Sequence, residues 1–499
     1  MNENMQYYLG VDIGTTSAKA VAFLEGGEVI ASHSSAYDMF HPHPGWSEQE
    51  PETIFEAVIE GMQQVLSILR PAVPSFISFS AAMHSLIAID HSGNLLTKCI
   101  IWADNRADEV AQQLRTGGEG KRFYQLSGVP IHSMSPFCKL LWLRHHESEI
   151  FEKAHKFIGI KEYIFYKLFN EFVVDTSIAS ATGLLNSFRL EWDVELLSYI
   201  GITEAQLSKV VSTKTILYYH DTFPGLYTGA KIPFVIGSSD GALSNLGTGA
   251  TGSHSMAMTI GTSGAARMVV PAPSTDNKMR TFCYHLKDQS YIAGGANNNG
   301  AIVMQWLRQD LLQSNEDYEL LIEQAGNVVA GSDGLLFLPY ILGERAPIWN
   351  ANAKGVFFGL TIQHTRGHLI RACLEGVIFS MYSIAKILAE RHEVTEIRAS
   401  GGFAKSPLWL QILADVSNTM VLVSETVESS ALGAVMLGAE AMGLPANFEN
   451  KASATYIPDP GKQEVYHKQF KKFQRLYDLL KEEMVNEQDV TLLSPGLRK

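Results

Sequence analysis

The chain has 499 residues, of which 46% are hydrophobic, and this is enough apolar material for two domains with separate cores. Its formal net charge of −13 disfavours non-specific binding to nucleic acid, because a polyanion would be repelled. The N-terminal residues lack a basic region and no apolar run approaches about 18 residues, so we expect neither export nor a membrane span.

The cysteines are widely scattered along the chain. They show neither the C-x-x-C spacing of a metal or redox site nor the spacing of a secreted disulfide framework. We therefore expect reduced thiols in a cytoplasmic protein, without metal ligation by cysteine. The four positions are Cys99, Cys138, Cys283 and Cys373.

The first element is an apolar run over residues 7–13 that stops at Gly14 and resumes as an extended pattern over residues 20–24. Between the two runs, bare backbone N–H groups and the hydroxyls of Thr15 and Thr16 suit one phosphate oxyanion. The strand–turn–strand order excludes a P-loop, in which Gly-Lys-Ser/Thr opens a helix, and equally a dinucleotide turn of the G-x-G-x-x-G type. For a single copy, a plain Gly-Thr hairpin is the alternative.

A second copy of this turn follows the apolar residues 255–260, where Gly261 and Thr262 stand. Gly14 and Gly261 are 261 − 14 = 247 positions apart, about half of the chain, which indicates a duplication and predicts domains over 1–247 and 248–499. In the first copy, Asp12 lies beside the phosphate turn. Because this carboxylate would repel phosphates unless a cation lay between them, Asp12 predicts a Mg²⁺ site.

Helical spacing of apolar residues over 52–70 predicts an amphipathic helix, and residues 76–80 then predict a strand. The chain leaves that strand at Met83 and His84. Polar residues at such strand exits are where α/β sheets present ligands. A hydrogen-bonded packing histidine is the alternative for His84.

An apolar strand over residues 100–101 runs into Trp102, Asp104, Asn105 and Arg106. An aromatic ring beside a carboxylate, an amide and a guanidinium suits a hydroxyl-rich ligand, whose C–H face stacks on the ring. The alternative is a surface ion pair between Asp104 and Arg106.

The almost entirely apolar residues 232–236 predict a buried strand that delivers Asp240 at its tip, with glycines on both sides. The same aspartate could instead cap a helix over 242–246.

In the second half, residues 397–407 predict a strand, a Gly-Gly turn and a helix start, a shape suited to nucleotide contact through backbone N–H groups. Helices are predicted over 369–391, 408–418 and 431–442. An amphipathic helix is predicted beyond residue 463, followed by a frayed end.

The motifs DIGTT, TIGTSG, SSDGA, LPYILGERAP and SGGFAKSPLW, in this order, resemble the FGGY family of carbohydrate kinases over residues 6–445. The resemblance implies an α/β fold of the actin-like and hexokinase-like (ribonuclease H-like) type, duplicated, with an ATP cleft between the two domains. Within the family, SFISFSAAMHSLIAID, IIWADNRA, IGIKEYIF and VIGSSDGALSNLG most resemble gluconate kinases. His145 and Cys373 depart from the family pattern, and we expect both to be packing changes.

The resemblance implies ATP-dependent phosphorylation of a sugar acid, D-gluconate to 6-phosphogluconate, with Mg²⁺. It implies that Asp240 is the general base and that Asp12 and Asp240 lie at the metal. The residues implied at ATP are Thr15, Thr16, Lys19, Gly261, Thr262, Gln305, Gly402, Phe403 and Ser406. Those implied at the sugar are Met83, His84, Trp102, Asp104 and Arg106. For the carboxylate of gluconate, Arg106 is the first choice of cation, before Lys139 and Arg345.

Two alternatives stay open at this point. One is a kinase for a neutral ketose or polyol, such as xylulose, ribulose or glycerol. The other is an actin-like or Hsp70-like ATPase without a small acceptor, against which the sugar-shaped wall argues. We expect a small-molecule partner, no nucleic acid and no membrane, and a homodimer as the candidate assembly.

Overall fold

The computed structural model describes residues 5–218, 231–424, 428–445, 448 and 451–484. The chain divides into two units. Unit 1 comprises Met1–Thr251, Val269–Ala293 and Glu428–Asn450, and unit 2 comprises Gly252–Met268, Gly294–Val427 and Lys451–Lys499. Unit 1 thus includes Val269–Ala293 and Glu428–Asn450, which lie in the part of the sequence predicted to form the second domain.

The strands, numbered in chain order, are β1 (Tyr8–Ile13), β2 (Ser17–Phe23), β3 (Val29–Ala36), β4 (Glu48–Gln49), β5 (Ile77–Ala81), β6 (Ile87–Ile89), β7 (Cys99–Ile100), β8 (Lys156–Ile158), β9 (Val173–Asp175), β10 (Leu185–Asn186), β11 (Glu191–Trp192), β12 (Lys209–Val211), β13 (Ile216–Tyr218), β14 (Pro233–Ser239), β15 (Ser255–Ile260), β16 (Gly264–Val270), β17 (Phe282–Lys287), β18 (Ser290–Asn297), β19 (Leu336–Pro339), β20 (Gly355–Phe358), β21 (Glu396–Ser400), β22 (Met420–Ser424) and β23 (Ala452–Tyr456).

The helices are α1 (Pro51–Leu69), α2 (Asp108–Thr116), α3 (Glu119–Ser127), α4 (Pro136–His146), α5 (Ser148–Lys153), α6 (Ile160–Phe169), α7 (Thr176–Ser180), α8 (Val194–Ile200), α9 (Asp240–Gly247), α10 (Ile302–Trp306), α11 (Tyr318–Gly326), α12 (Arg366–Ala389), α13 (Pro407–Ser417), α14 (Ser429–Met442) and α15 (Gln463–Leu480). The predicted helices over 52–70, 369–391, 408–418 and 431–442 are α1, α12, α13 and α14. The predicted frayed end beyond α15 lies largely outside the described residues.

The main sheet of unit 1 has the strand order β13-β14-β5-β1-β2-β3. β1 pairs antiparallel with β2 and parallel with β5, and β5 pairs parallel with β14. Because side chains alternate along a strand, Tyr7 and Leu9 pack into one core and Tyr8 into another on the opposite face. The sheet is therefore buried on both faces.

Two helices cover these faces. α1 packs its apolar stripe, including Ile54, Val58 and Met62, into the larger core. On the other face, α14 lies close to β1, and a Cβ on Gly10 would lie 2.5 Å from the carbonyl oxygen of Ala431. Glycine at this position therefore permits the close approach of α14 to the sheet.

Unit 2 repeats this arrangement with the strand order β16-β15-β21-β22-β23. Its β15 pairs antiparallel with β16 and parallel with β21, and β21 pairs parallel with β22. A shift of 247 positions places the bounds of β1 on those of β15 and the bounds of β2 on those of β16. The predicted duplication is confirmed at the level of strand bounds and pairing.

α12 is the central helix of unit 2. It has the length and the mean hydropathy (1.5) of a membrane-spanning helix, but 83% of its apolar window is buried inside the protein. A core helix of a folded protein has the same properties. Its neighbours include Tyr466 of α15, whose hydroxyl accepts a hydrogen bond from Arg371 (2.7 Å).

The four cysteines are all buried and free. Burial raises the pKa of Cys99 to about 12 and that of Cys138 to about 11, so both thiols stay protonated at neutral pH.

Candidate active site

The first glycine turn connects β1 to β2. The N–H of Gly14 donates to the carbonyl of Ser17 (3.0 Å) and closes the turn, and Asp12 stands directly opposite Lys19 in the strand register. Thr16 is exposed at the tip. The predicted strand–turn–strand geometry is confirmed, and the carbonyl of Thr16 accepts the N–H of Tyr37 (3.1 Å).

Asp12 lies at the end of β1 and accepts a hydrogen bond from the hydroxyl of Ser80 (2.6 Å) at the end of β5. Burial raises the pKa of the Asp12 carboxyl to about 6, and the charges of Asp240 and Glu428 raise it further, whereas the Ser80 hydrogen bond and Lys19 lower it. The main cause of the shift is therefore the loss of hydration of the carboxylate, and the two neighbouring carboxylates add to it.

Lys19 forms an ion pair with Glu428, which directly precedes α14. Lys19 is one of the residues that the family resemblance implies at ATP, whereas Glu428 is not. In unit 1 the lysine is already bonded to a carboxylate. No motif marks Glu428, because its place beside β2 depends on the packing of α14.

Asp240 is half-buried and begins α9 directly after β14. Its Oδ1 accepts the N–H of Gly241 (2.6 Å). Asp240 thus follows the end of β14 as predicted, but Ser239 rather than Asp240 occupies the N-cap position of α9. A carboxylate in the first turn of a helix is stabilised by the helix dipole. The negative charge of Asp240 raises the pKa of Asp12, so the two carboxylates interact electrostatically.

Asp12 and Asp240 could each offer a carboxylate oxygen to a magnesium ion, the ligand type that Mg²⁺ prefers. Burial is the main cause of the raised pKa of Asp12, and a divalent cation would also offset the smaller contribution from the charges of Asp240 and Glu428. Among the described residues, no group of three or more His, Cys, Asp and Glu side chains could coordinate a metal by itself. A magnesium ion here would therefore depend on water and phosphate for its other ligands.

A narrow recess, with about 10 Å³ of space for water, lies next to the first turn. Gly14, Thr15, Met83 and Trp102 are among its lining residues. The indole N–H of Trp102 donates to the hydroxyl of Thr15 (2.9 Å), so the predicted aromatic wall is bonded directly to the predicted phosphate turn. The structure brings these predicted residues together.

His84 lies on a different side of the chain from Met83. It lines a second, narrow cavity with about 20 Å³ of space for water, and its Nδ1 is 2.8 Å from the carbonyl oxygen of Ala181. Its φ of 69° is in the left-handed region, which costs a non-glycine residue about 1–3 kcal/mol. Since the ring is buried and hydrogen-bonded, the packing alternative for His84 gains support.

Arg106 and Asp104 form a buried bidentate ion pair, with side chains 4% and 0% exposed. Glu48 bonds the same guanidinium at 2.6 Å, and Trp46 stacks on it at 3.7 Å. This is not the surface ion pair considered above. Because two protein carboxylates already compensate the charge of Arg106, this residue has a structural role.

The other two candidate cations are also engaged. The Lys139 ammonium donates to the carbonyls of His84 (2.6 Å), Ile100 (3.1 Å) and Ile101 (2.8 Å), which uses all three of its N–H groups. Arg345, in unit 2, donates to Asn298 Oδ1 (2.8 Å). Both cations therefore support loops rather than present open donors.

The second glycine turn connects β15 to β16 in unit 2. The N–H of Gly261 donates to Ser263, and its carbonyl accepts the N–H of Ala301 (2.7 Å) just before α10. Thr262 is exposed, as Thr16 is in unit 1. The turn is thus held by a hydrogen bond from the residue before α10, while Thr262 is exposed to solvent.

The Gly-Gly turn follows β21, the parallel neighbour of β15. Gly401 has a φ of 93°, which only glycine adopts readily, and Gly402 is exposed. Phe403 is buried against Trp409, and Ser406 caps α13 by accepting the Trp409 N–H (3.3 Å). Of the predicted nucleotide residues, Phe403 and Ser406 thus shape the turn.

Gln305 is exposed on α10 and donates to Gln309 (3.3 Å). This local contact leaves its nucleotide role a prediction.

Comparison with known proteins follows this geometry. The N-terminal domain model of the FGGY family of carbohydrate kinases matches residues 7–247, and the C-terminal domain model matches residues 256–442. A gluconokinase of Bacillus subtilis (strain 168) is 46% identical over 456 residues, which cover 89% of each chain.

Solved structures agree with this result. A crystal structure of gluconate kinase from Lactobacillus acidophilus has a TM-score of 0.91 and 37% identity, covering 95% of this chain and 98% of that chain. A ligand-bound xylulose kinase from Lactobacillus acidophilus gives the same values. The chain therefore belongs to the FGGY family of carbohydrate kinases and is a two-domain α/β enzyme of that family.

Proposed function

We propose that the protein is a gluconate kinase that transfers the γ-phosphoryl group of ATP to D-gluconate and produces 6-phosphogluconate. The similarity to gluconokinase supports the acceptor. The observation that carries the chemistry is that Asp12 and Asp240 lie at the same end of one sheet, at β1 and directly after β14, since both strands pair in parallel with β5. Membership of a carbohydrate kinase family disfavours the alternative of an ATPase without a small acceptor.

Asp240 is the general base. Phosphoryl transfer needs the acceptor hydroxyl in line with the γ-phosphorus, and little covalent help. At the start of α9, the half-buried carboxylate of Asp240 can orient that hydroxyl and accept its proton. A positioned general base contributes about 10²- to 10⁴-fold to the rate.

Asp12 and Asp240 would bind the magnesium ion, with Glu428 adding negative charge nearby. When bound, Mg²⁺ neutralises charge on the phosphate oxygens. Ser80 orients the Asp12 carboxylate through its 2.6 Å hydrogen bond.

Each unit contributes its own nucleotide residues. In unit 1, Thr15 and Thr16 offer hydroxyl and backbone N–H groups to phosphate oxygens. In unit 2, the exposed Thr262 offers the same groups, and Gly402 presents its backbone to the nucleotide.

The sugar binds at the mouth of the recess lined by Trp102 and Met83. The apolar face of the sugar chain packs on the indole, while hydroxyls meet polar groups at the rim. Asp104 and Arg106 fix the wall behind Trp102 through their buried ion pair. Arg106 is thus assigned to the wall rather than to the substrate carboxylate.

A neutral ketose is the second candidate acceptor, because a xylulose kinase is as similar in structure as a gluconate kinase. A coupled assay of ADP release over gluconate, xylulose, ribulose and glycerol separates the two. We expect gluconate to give the highest kcat/KM. A higher value for xylulose would favour the second candidate, and no stimulation by any acceptor would overturn the proposal.

A further inference from the structure

A buried ion pair lies next to the strand that carries Asp240. Lys161 of α6 and Asp175 at the end of β9 are 2.7 Å apart, and their side chains are 3% and 0% exposed. Burial lowers the pKa of Lys161, and the Asp175 carboxylate opposes that effect. Because two charges lose their hydration here, the desolvation cost offsets much of the attraction between them. A hydrophobic pair could fill the same space without that cost.

Both members of the pair make further hydrogen bonds. Lys161 also donates to the backbone carbonyl of Ser238 (3.2 Å), two residues before Asp240. The other oxygen of Asp175 accepts the N–H groups of Ser177 and Ile178 (3.0 Å each) and so caps α7. The ion pair therefore connects α6, β9 and α7 to the last residues of β14.

Ser177 completes the connection. Its hydroxyl lies 3.0 Å from the hydroxyl of Ser239 and accepts the backbone N–H of Ser239 (3.3 Å). Both residues that precede Asp240 are thus bonded to a buried polar network, and each of these groups is almost fully buried.

The strand itself is irregular at this point. The pairing of β14 with β5 shifts register between Val235 and Ser238, and Gly237 has a φ of 73°. A Cβ on Gly237 would collide with the carbonyl of Phe79, so only glycine fits. Bulges of this kind change the direction of the side chains that follow them, and they do so here just before Asp240.

We propose that Lys161 and Asp175 are positioning residues for Asp240: their bonds to Ser238 and, through Ser177, to Ser239 fix the direction in which the Asp240 carboxylate leaves the bulged strand. This inference rests on the proposed role of Asp240 as the base. A displacement of about 1 Å at a reacting group can cost about 100-fold in rate, so loss of the bonds lowers turnover without removing any group that touches substrate.

The chain offers a matched control on the same helix. Lys167 of α6 pairs with Glu52 of α1 at 2.9 Å, away from β14. Lys167→Met removes a lysine–carboxylate pair from α6 but leaves the network around Ser238 and Ser239 intact. Any general effect of losing an ion pair on this helix appears in both variants.

The test uses the full chain in the ADP-release assay with gluconate. In the double variant Lys161→Met/Asp175→Asn, neither charge is left unpaired, and asparagine still caps α7. We expect kcat to fall about 10- to 100-fold, with KM for gluconate and for ATP changed by less than about twofold. Lys167→Met should keep the kcat of the wild type.

Ser177→Ala is the second variant, since it removes the two bonds to Ser239 but keeps the Lys161–Asp175 pair and the Lys161–Ser238 bond. It should show a smaller loss of kcat with the same unchanged KM values. A normal kcat in the folded double variant would overturn the inference, as would equal losses in Lys167→Met. Asp240→Asn separates the two proposals: if it is inactive while the double variant is normal, only the positioning role fails. If Asp240→Asn is active, the base fails as well.

Discussion

The two glycine turns have the same backbone arrangement and different chemistry. In unit 1 the register places Asp12 opposite Ser80, and in unit 2 it places Thr259 opposite Ser400. Ser80 donates to a carboxylate at 2.6 Å, whereas the hydroxyls of Thr259 and Ser400 lie 2.8 Å apart. One position in the duplicated scaffold thus carries a charge in one copy and a neutral group in the other.

The difference indicates how a duplicated fold becomes an enzyme. Both copies keep an open turn suited to phosphate oxygens. The carboxylates that suit a cation and a proton, Asp12 and Asp240, belong to unit 1. We infer that carboxylates of unit 1 bind the metal and act as the base. The turn of unit 2 offers uncharged hydroxyl and N–H groups to phosphate oxygens.

The largest expected effect is at Asp240. Asp240→Asn removes the base and keeps the size of the side chain, so we expect kcat to fall about 10²- to 10⁴-fold while ATP and gluconate still bind. Initial rates of ADP release, with separate binding titrations, measure both quantities. A variant with more than about a tenth of the normal kcat would refute the base role.

A smaller effect is expected in the turn of unit 2. A Cβ on Gly300 would lie 2.6 Å from the carbonyl oxygen of Gly261, so Gly300→Ala should displace that turn. We expect KM for ATP to rise about tenfold, with KM for gluconate unchanged. Gly252→Ala is the matched control, because a Cβ there meets nothing within 4 Å. Equal behaviour of the two variants would show that the unit 2 turn does not bind ATP.

The smallest expected effect is on stability against pH. Folding raises the pKa of Asp12 from 3.8 to about 6, so the folded state binds more protons than the unfolded state between these values. Stability contributed by the protonated group is therefore lost as pH rises through this window, and the loss persists above pH 6. Asparagine does not titrate, so the stability of Asp12→Asn does not fall for this reason.

Thermal unfolding without ligands measures that effect. The Tm of Asp12→Asn minus that of the wild type should grow by a few degrees from pH 4 to 6 and then stay constant. Thr259→Val, at the same position in unit 2, should show no such trend. A difference that shrinks over this range would contradict the electrostatic description of Asp12.

Much of the fold could be predicted from the sequence because it depends on local patterns. The turn at Gly14 and the helix α1 follow from residue types and spacing within short windows. The duplication was visible because the two turns share a motif. The contribution of α14 to unit 1 could not be predicted, since it depends on glycine contacts such as that of Gly433 with the Leu243 carbonyl.

The site was predicted less completely than the fold. Trp102 and Thr15 were identified, and the structure bonds them to each other. The contact of Arg106 with Glu48 could not be predicted, because it requires β4 to lie beside β7. The role of Lys161 could not be predicted, since a bond from its side chain to the carbonyl of Ser238, 77 positions away, leaves no local pattern.

The dependence of kcat on free Mg²⁺ tests the central claim most directly, when the wild type, Asp12→Asn and Thr259→Val are compared at saturating ATP and gluconate. We predict that Asp12→Asn needs at least about tenfold more free Mg²⁺ for half its maximal rate, and that Thr259→Val needs the same as the wild type. An unchanged requirement in Asp12→Asn, or an equal increase in both variants, would contradict the assignment of the metal to unit 1.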